Sequence, residues 1–330
     1  ATPTALTTAT GTLHKLGLLL TRGHVLEGLK HIDTVIFDKT GTLTEGKLKL
    51  AEIHPLGEYS QQQVIAIAAA LESQSEHPIA RAFGRSALNA EQVTSFPGLG
   101  LEGQINGQTY RIGRADFVCE LSQQALPAPL HSEGQWLLLG DETQVLAWFV
   151  LNDQLREDAQ QLIDACHQQG WNTYLLSGDS SPMVAKIAEQ LGIKHAQAGL
   201  TPAQKLAVLE QLHSQGQRVL MLGDGVNDVP VLAAADISIA MGSATDLAKT
   251  SADAILLSNR LSTLVDALAV AKKTRRIIIE NLGWATLYNG LVIPFAAVGW
   301  VTPFWAAIGM SVSSLLVVLN ALRLTRIQTT

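Results

Sequence analysis

Three times in this chain a short apolar, β-rich run stops at a loop that carries aspartate. Thr34-Val35-Ile36-Phe37 ends at Asp38, with Thr40-Gly41-Thr42 beyond it. Trp171 to Leu176 ends at Ser177-Gly178-Asp179, and Arg218 to Leu222 ends at Gly223-Asp224-Gly225. Helical patterns over Arg156 to Gln169, Ser181 to Leu191 and Pro202 to His213 separate the runs, and strand alternating with helix predicts a parallel, doubly wound sheet. Ligands of such sheets bind at the carboxyl ends of the strands, so the three acidic loops are expected on one sheet edge.

The alternation is interrupted between about Leu48 and Ala147, where an apolar helix around Val64 to Leu71 precedes short strands with turns at Asn106-Gly107 and Gly140-Asp141. This texture predicts an inserted α+β domain. A chain of 330 residues is long enough for several cores. Net charge is −6 and no soluble stretch concentrates basic residues, which argues against nucleic acid as a partner. Cys119 and Cys166 lie 47 positions apart without C-x-x-C spacing, so both are expected to be packed thiols.

The hydrophobic share of 47% is unevenly spread, and its concentration near the end of the chain points to a membrane. Ile277 to Trp300, broken only by Glu280, Asn281, Asn289 and Pro294, and Phe304 to Leu322 each approach the ~20 residues of a bilayer-spanning helix. Lys272, Lys273, Arg275 and Arg276 precede the pair, Arg323 and Arg326 follow it, and the link Val301-Thr302-Pro303 is uncharged. That asymmetry predicts a hairpin with both ends cytoplasmic; two buried core helices would leave the basic flanks unexplained. Ala1 to Leu20, Thr-, Ala- and Leu-rich, reads as the end of another membrane helix continuing into a stalk. Ala1-Thr2-Pro3-Thr4 lacks the features of a signal peptide, so the chain is expected to begin mid-protein.

Asp38-Lys39-Thr40-Gly41-Thr42-Leu43-Thr44 resembles the phosphorylation motif of P-type ATPases, within the haloacid-dehalogenase-like superfamily. The resemblance implies that Asp38 is the nucleophile that takes the phosphoryl group of ATP. A carboxylate attacks a phosphate only where charge repulsion is offset, which calls for Mg²⁺, a cation and backbone donors. Asp224 and Asp228, in Gly223-Asp224-Gly225-Val226-Asn227-Asp228, are hard oxygen ligands suited to Mg²⁺, with Asp38 and Thr40 completing its surroundings. By the same resemblance Lys39 belongs to the phosphorylation motif and Lys205 neutralises the phosphate. Thr40, Ser177 and Gly178 contact the phosphoryl oxygens, and Asp179 closes the site over nucleotide. Ser177 stands where the family usually has Thr, which preserves the hydroxyl. Related phosphatases carry a second Asp two residues after the nucleophile; here that position is Thr40, so water attacks the acyl phosphate slowly and a pump is favoured over a phosphatase.

In the insertion, Glu72, Ser75-Glu76-His77-Pro78 and Phe96-Pro97-Gly98-Leu99-Gly100 resemble the nucleotide-binding signature of the heavy-metal subgroup. The resemblance implies that His77 orients the adenine or phosphates, that Glu72 hydrogen-bonds the base, and that Gly98 and Gly100 let backbone approach the nucleotide. Gly113-Arg114 stands where the family commonly has Gly-Asn, which leaves the role of Arg114 open. Tyr288-Asn289 and Met310-Ser311-Val312-Ser313-Ser314 resemble the paired motifs of Cu(I)-transporting members. A Met thioether is a soft ligand suited to Cu(I), and Asn289 is expensive at membrane depth without a role, so Tyr288, Asn289, Met310 and Ser314 are the expected Cu(I) ligands. Met and Ser also serve ordinary helix packing.

Together these readings predict an α/β chain. A doubly wound parallel-sheet (HAD-like) phosphorylation domain carries an inserted α+β nucleotide-binding domain and a C-terminal transmembrane helix hairpin. The expected boundaries are a membrane-helix end and stalk over 1–32, phosphorylation domain over 33–47 and 148–260, nucleotide-binding domain over 48–147, stalk over 261–276, two transmembrane helices over 277–324 and a cytoplasmic tail over 325–330. The resemblance implies ATP-driven Cu(I) export across a bacterial inner membrane by a multi-pass protein, with the metal delivered by a copper chaperone, membrane lipid around the hairpin, and actuator and further membrane regions N-terminal to Ala1. The competing readings are a membrane-anchored phosphatase of the same superfamily and a non-catalytic nucleotide-binding fragment.

Overall fold

The computed structural model describes residues 2–75, 79–128, 134–225 and 228–326. The chain divides into two compact units, one of Ala1–Thr42, Glu157–Gly178 and Ala188–Thr330, the other of Leu43–Arg156 and Asp179–Ile187. Strands β1 (Leu18–Leu20), β2 (Thr34–Asp38), β9 (Asn172–Leu176), β10 (His195–Gln197), β11 (Val219–Gly223), β12 (Ile237–Met241) and β13 (Ala254–Leu256) belong to the first unit. Strands β3 (Thr44–Pro55), β4 (Glu91–Phe96), β5 (Gly100–Ile105), β6 (Gln108–Gly113), β7 (Gln135–Asp141) and β8 (Val145–Leu155) belong to the second.

The first sheet runs β1-β13-β12-β11-β2-β9-β10 and is parallel except at its edge, where β1 lies antiparallel to β13. β2 is the central strand, and Val35, Ile36 and Phe37 are wholly buried, as a strand covered on both faces requires. Phe37 pairs with Leu222 of β11 and Leu175 of β9, and Asp38 with Leu176, so all three strands end at one level. The expected helices form over Ala159–Gln168, Met183–Leu191 and Pro202–Ser214; the first begins at Ala159 rather than Arg156 because β8 continues to Leu155.

Beyond β13 the expected stalk and the first apolar run form one uninterrupted helix, Ser262–Ala297, of 36 residues. Its buried Thr263, Leu264, Ala267, Val270, Thr274 and Ile277 repeat at helical spacing and hold its lower half against the rest of the unit. A second helix, Pro303–Leu322, returns beside it. Among the described residues one stretch, Phe304–Thr325, is long and apolar enough to cross a membrane, with mean hydropathy 1.8. The first apolar run falls short because Glu280, Asn281 and Asn289 lower its average. Two of these polar residues are satisfied within the pair: Asn320 Nδ2 donates to Asn281 Oδ1 at 3.0 Å and to Glu280 Oε2 at 3.2 Å, and Arg323 donates to Glu280 at 3.1 Å. The helix Thr2–Leu16 packs here too, its Thr12 hydroxyl donating to the Leu324 carbonyl at 3.3 Å.

The second unit is an antiparallel sheet in the order β3-β8-β7-β6-β5-β4. Against it lies helix Gln61–Glu72, opened by a capping box in which Gln63 N–H donates to the Ser60 hydroxyl at 3.3 Å and Ser60 N–H to Gln63 Oε1 at 2.8 Å. Its Val64, Ile67 and Leu71 bury against Ile112, Leu139 and Phe149. Asn106-Gly107 is the expected hairpin turn, with φ of 52° and 83°. Gly140-Asp141 is not: both residues end β7, and the turn follows at 142–144, where the Asp141 carboxylate accepts from the Thr143 and Gln144 amides. Gly140 is needed for space, since a Cβ there would meet Val118 Cγ1 at 2.7 Å. Cys119 and Cys166 are buried free thiols, and burial pushes Cys166 up to about 12.

Candidate active site

At the carboxyl edge of the parallel sheet, β2 delivers Asp38 and the loop after β11 delivers Asp224 and Asp228. Their carboxylate oxygens lie within 4.8 Å of one another. Asp38 and Asp228 are buried and Asp224 is half-buried. Lys205 reaches the same point from helix Pro202–Ser214. Thr201 and Gln204 form a capping box at the start of that helix, with Pro202 in its first turn, which fixes the entry angle and places Lys205 in the second. The Lys205 ammonium, 4% exposed, donates to Asp38 Oδ1 and to Asp228 Oδ1, the latter at 2.7 Å.

Three carboxylates against one ammonium leave an excess of negative charge in a poorly solvated place. Asp38 responds: burial first, then the neighbouring Asp228 charge, push its carboxyl up to about 6, against the pull of Lys205 and of the Lys39 amide. Burial disfavours the Lys205 charge, but Asp38 and Asp228 outweigh it and hold the ammonium above its ordinary value. Clustered hard oxygens with excess negative charge fit Mg²⁺.

Of the other residues singled out by sequence, Lys39 is buried and Thr40 is exposed in an extended conformation, φ −76° and ψ 126°. Ser177 directly follows the β9 residue that pairs with Asp38; it is buried, its amide donating to Gln197 O at 3.0 Å and its carbonyl accepting from Leu200 at 2.9 Å. Gly178 follows it, and a Cβ built there would lie 3.5 Å from the Leu200 carbonyl. Asp179 belongs to the second compact unit, and its carboxylate accepts from the Ser181 amide and hydroxyl at 2.8 and 2.9 Å.

Gly41 is a residue the sequence reading passed over. It has φ +72°, and a Cβ built on it would overlap the Asp224 carboxylate. The glycine after Lys39-Thr40 therefore clears room for the Asp224 carboxylate and permits a left-handed turn. Gly41→Ala is expected to cost about 1–2 kcal/mol of stability from backbone strain alone, with displacement of the Asp224 carboxylate adding to the loss. Thermal unfolding checks the size of the loss.

In the second unit a cavity of about 250 Å³ is lined by Glu72, Ser75, Phe96, Gly98, Gly100 and Arg114, among others. His77 lies outside the described residues. Gly98 has φ +74° and open space at its Cβ position, so backbone there can approach a ligand. Gly100 answers to a different demand: it pairs with Gly113, and a Cβ on it would collide with the Ile112 carbonyl. Arg114 is held at the rim by Asp116, at 2.6 and 3.1 Å.

Glu72 is 5% exposed, and burial pushes its carboxyl up to about 7. Because this lies above the ordinary 4.5, the folded state binds the proton more tightly than the unfolded chain. Its contribution is present in full below about pH 4.5 and is lost as pH rises through about 7, a swing of about 3 kcal/mol at 1.36 kcal/mol per unit. Glu72→Gln is expected to flatten the pH dependence of unfolding of this unit and to stabilise it above about pH 7. A melting profile across that range tests the sign.

On the helix pair, Tyr288 packs its hydroxyl end against Gly309, where any Cβ would collide with it. Asn289, Met310 and Ser314 are exposed on the pair's outer surface, Met310 by 65%.

The haloacid dehalogenase-like hydrolase family profile matches residues 32–236. The chain is 38% identical over 340 residues to "Probable copper-exporting P-type ATPase V" of Mycobacterium tuberculosis, covering 99% of this chain and 44% of that protein. It is 39% identical to "Nitrogen fixation protein FixI" of Rhizobium leguminosarum over 98% of this chain and 42% of the relative. It thus spans less than half the length of these curated relatives. Among solved structures, a zinc-transporting PIB-type ATPase in the E2.Pi state superposes with TM-score 0.83 at 35% identity, covering 98% of this chain and 55% of that one. A catalytic CPx-ATPase domain, CopB-B, superposes with TM-score 0.57 at 31% identity, covering 79% of this chain and 96% of that one.

Proposed function

The chain belongs to the haloacid dehalogenase-like hydrolase family, in its P-type ATPase branch, and from that premise we propose that the complete protein exports Cu(I) from the cytoplasm at the expense of ATP. The observation that carries the reading is the buried Asp38 at the end of β2, facing Asp224, Asp228 and Lys205.

In this reading Asp38 Oδ attacks the γ-phosphorus of ATP. The new O–P bond forms as the bond to the bridging oxygen breaks, and ADP leaves with that electron pair. Lys205 holds its ammonium where the incoming phosphoryl charge develops, in a site dry enough to make that charge count. Asp224 and Asp228, with Asp38 and Thr40 beside them, would hold Mg²⁺, which supplies further positive charge to the phosphoryl oxygens. Lys39, Ser177 and Gly178 complete the walls around the phosphate, and Asp179 closes over nucleotide held by Glu72, His77, Gly98 and Gly100 of the second unit. Thr40 carries a hydroxyl that is a poor base, so the acyl phosphate is discharged slowly and can outlast a conformational change. A phosphatase would need a competent base at that position; rapid turnover of a simple phosphomonoester would revive that reading.

The cargo assignment rests on Met310, a soft thioether ligand, with Tyr288, Asn289 and Ser314 on the same helix pair. The copper-exporting relative supports it. The zinc-transporting neighbours favour Zn²⁺ as the second reading. The protein is then multi-pass in a bacterial inner membrane with both catalytic units cytoplasmic. A copper chaperone delivers the metal, and actuator and further membrane regions complete the pump. Full-length protein in vesicles decides the matter: Cu(I) is expected to accelerate ATP hydrolysis, and Met310→Leu to weaken the response about tenfold or more while leaving nucleotide affinity unchanged. Stimulation by Zn²⁺ and not by Cu(I) would overturn the assignment.

A further inference from the structure

A cavity of about 470 Å³ opens between helix Thr2–Leu16, the segment around Lys30, the corner at Trp171 and the long helix Ser262–Ala297. It lies at the amino ends of β2 and β9, the sheet edge opposite Asp38. Its lining combines two characters. Apolar side chains, Leu6, Trp171, Ile278 and Ile279 among them, make up most of its wall, and Lys30, Lys272 and Arg275 give it three cations, with Glu27 the single acid. Among the described residues none of these cations has an ion-pair or side-chain hydrogen-bond partner.

The cavity's depth can be read from the helix pair. Arg323 touches Glu280, which puts residue 280 level with the end of the apolar helix. Arg275 is five residues lower, about 7 Å along the axis, and Lys272 about 12 Å, against a headgroup layer roughly 5–7 Å deep. Arg275 therefore stands at headgroup level, with Lys272 about one helical turn below it.

We propose that this cavity binds an acidic phospholipid, its phosphate among Lys30, Lys272 and Arg275 and an acyl chain along Leu6, Trp171 and Ile279. The site goes beyond the pump reading and rests only on the insertion of the helix pair in a membrane. Three unpaired cations beside an apolar wall complement a molecule that is itself half anion and half hydrocarbon.

The test uses full-length protein in nanodiscs, with phosphatidylglycerol against phosphatidylcholine and native mass spectrometry as the readout. Each cation contributes roughly fivefold to anionic-lipid affinity. The triple variant Lys30→Gln, Lys272→Gln, Arg275→Gln is thus expected to lose on the order of a hundredfold in retained phosphatidylglycerol. The control Lys47→Gln, Lys194→Gln, Lys249→Gln retains it. Equal retention in the two triples overturns the proposal. So does displacement by soluble glycerol phosphate as efficiently as by lipid, which would make the site one for a free anion. Should the triple variant fail to fold, a photo-crosslinker at Ile279 of otherwise wild-type protein gives the answer: a lipid adduct supports the site, and a crosslink to another segment of the same protein overturns it.

Discussion

Asp38→Asn is expected to leave no acid-stable phosphoenzyme after incubation with γ-labelled ATP and to lower hydrolysis by on the order of 10⁴-fold or more. An amide cannot form the acyl phosphate, and no other carboxylate sits at the end of β2. The same substitution is expected to keep the protein folded. Asp38 is raised to about 6 from 3.8, so its burial opposes folding increasingly as pH rises from about 3.8, and in full above about 6. An uncharged side chain of the same shape removes that opposition. Function and stability therefore move in opposite directions, and a melting curve beside the labelling assay separates loss of the nucleophile from loss of the fold. Label persisting in the variant would sink the assignment of Asp38.

Lys205→Ala is expected to damage both. The ammonium lies between Asp38 and Asp228, and Asp224 is within 4.8 Å of that pair. Removing one partner of a buried ionic contact leaves the remaining charges uncompensated, a cost of about 3–5 kcal/mol. Asp38 loses the group that holds its carboxyl down, so its value moves further up and less of it is ready to attack. Phosphorylation is expected to fall by about 10²–10³, with the pH at which activity appears shifted upward. Loss of activity with an unmoved pH profile would mean that Lys205 serves packing alone.

Much of this arrangement was legible in the sequence because its causes are local. An apolar β-rich run followed by Asp38 or Gly223-Asp224 announces a strand end, and a parallel sheet brings strand ends together without further instruction. The helical pattern over Pro202 to His213 set a place for Lys205 before it had a partner. What was not legible depends on contacts between distant segments. Gly140 looked like a turn residue, yet it is a glycine because Val118 lies over it. Gly100 reads as a nucleotide contact, but its close approach to Gly113 and the Ile112 carbonyl, which also demands a glycine, was not visible in the sequence. The space that Gly41 leaves is taken by Asp224, far along the chain. Glu280 and Asn281 looked like interruptions of an apolar run, and their partners Asn320 and Arg323 come from the returning helix. A glycine or a polar residue states that something is nearby but not what.

The long helix Ser262–Ala297 has a mechanical consequence. It begins six residues after β13 and continues without a break into the apolar pair, so the sheet that carries Asp38 and the proposed cargo face share one shaft. At 1.5 Å per residue its 36 residues extend about 54 Å. A hydrogen-bonded rod of that kind does not compress, and each residue locks about 100° of azimuth to its rise. Torque applied at the sheet therefore arrives at Tyr288 and Asn289 in phase.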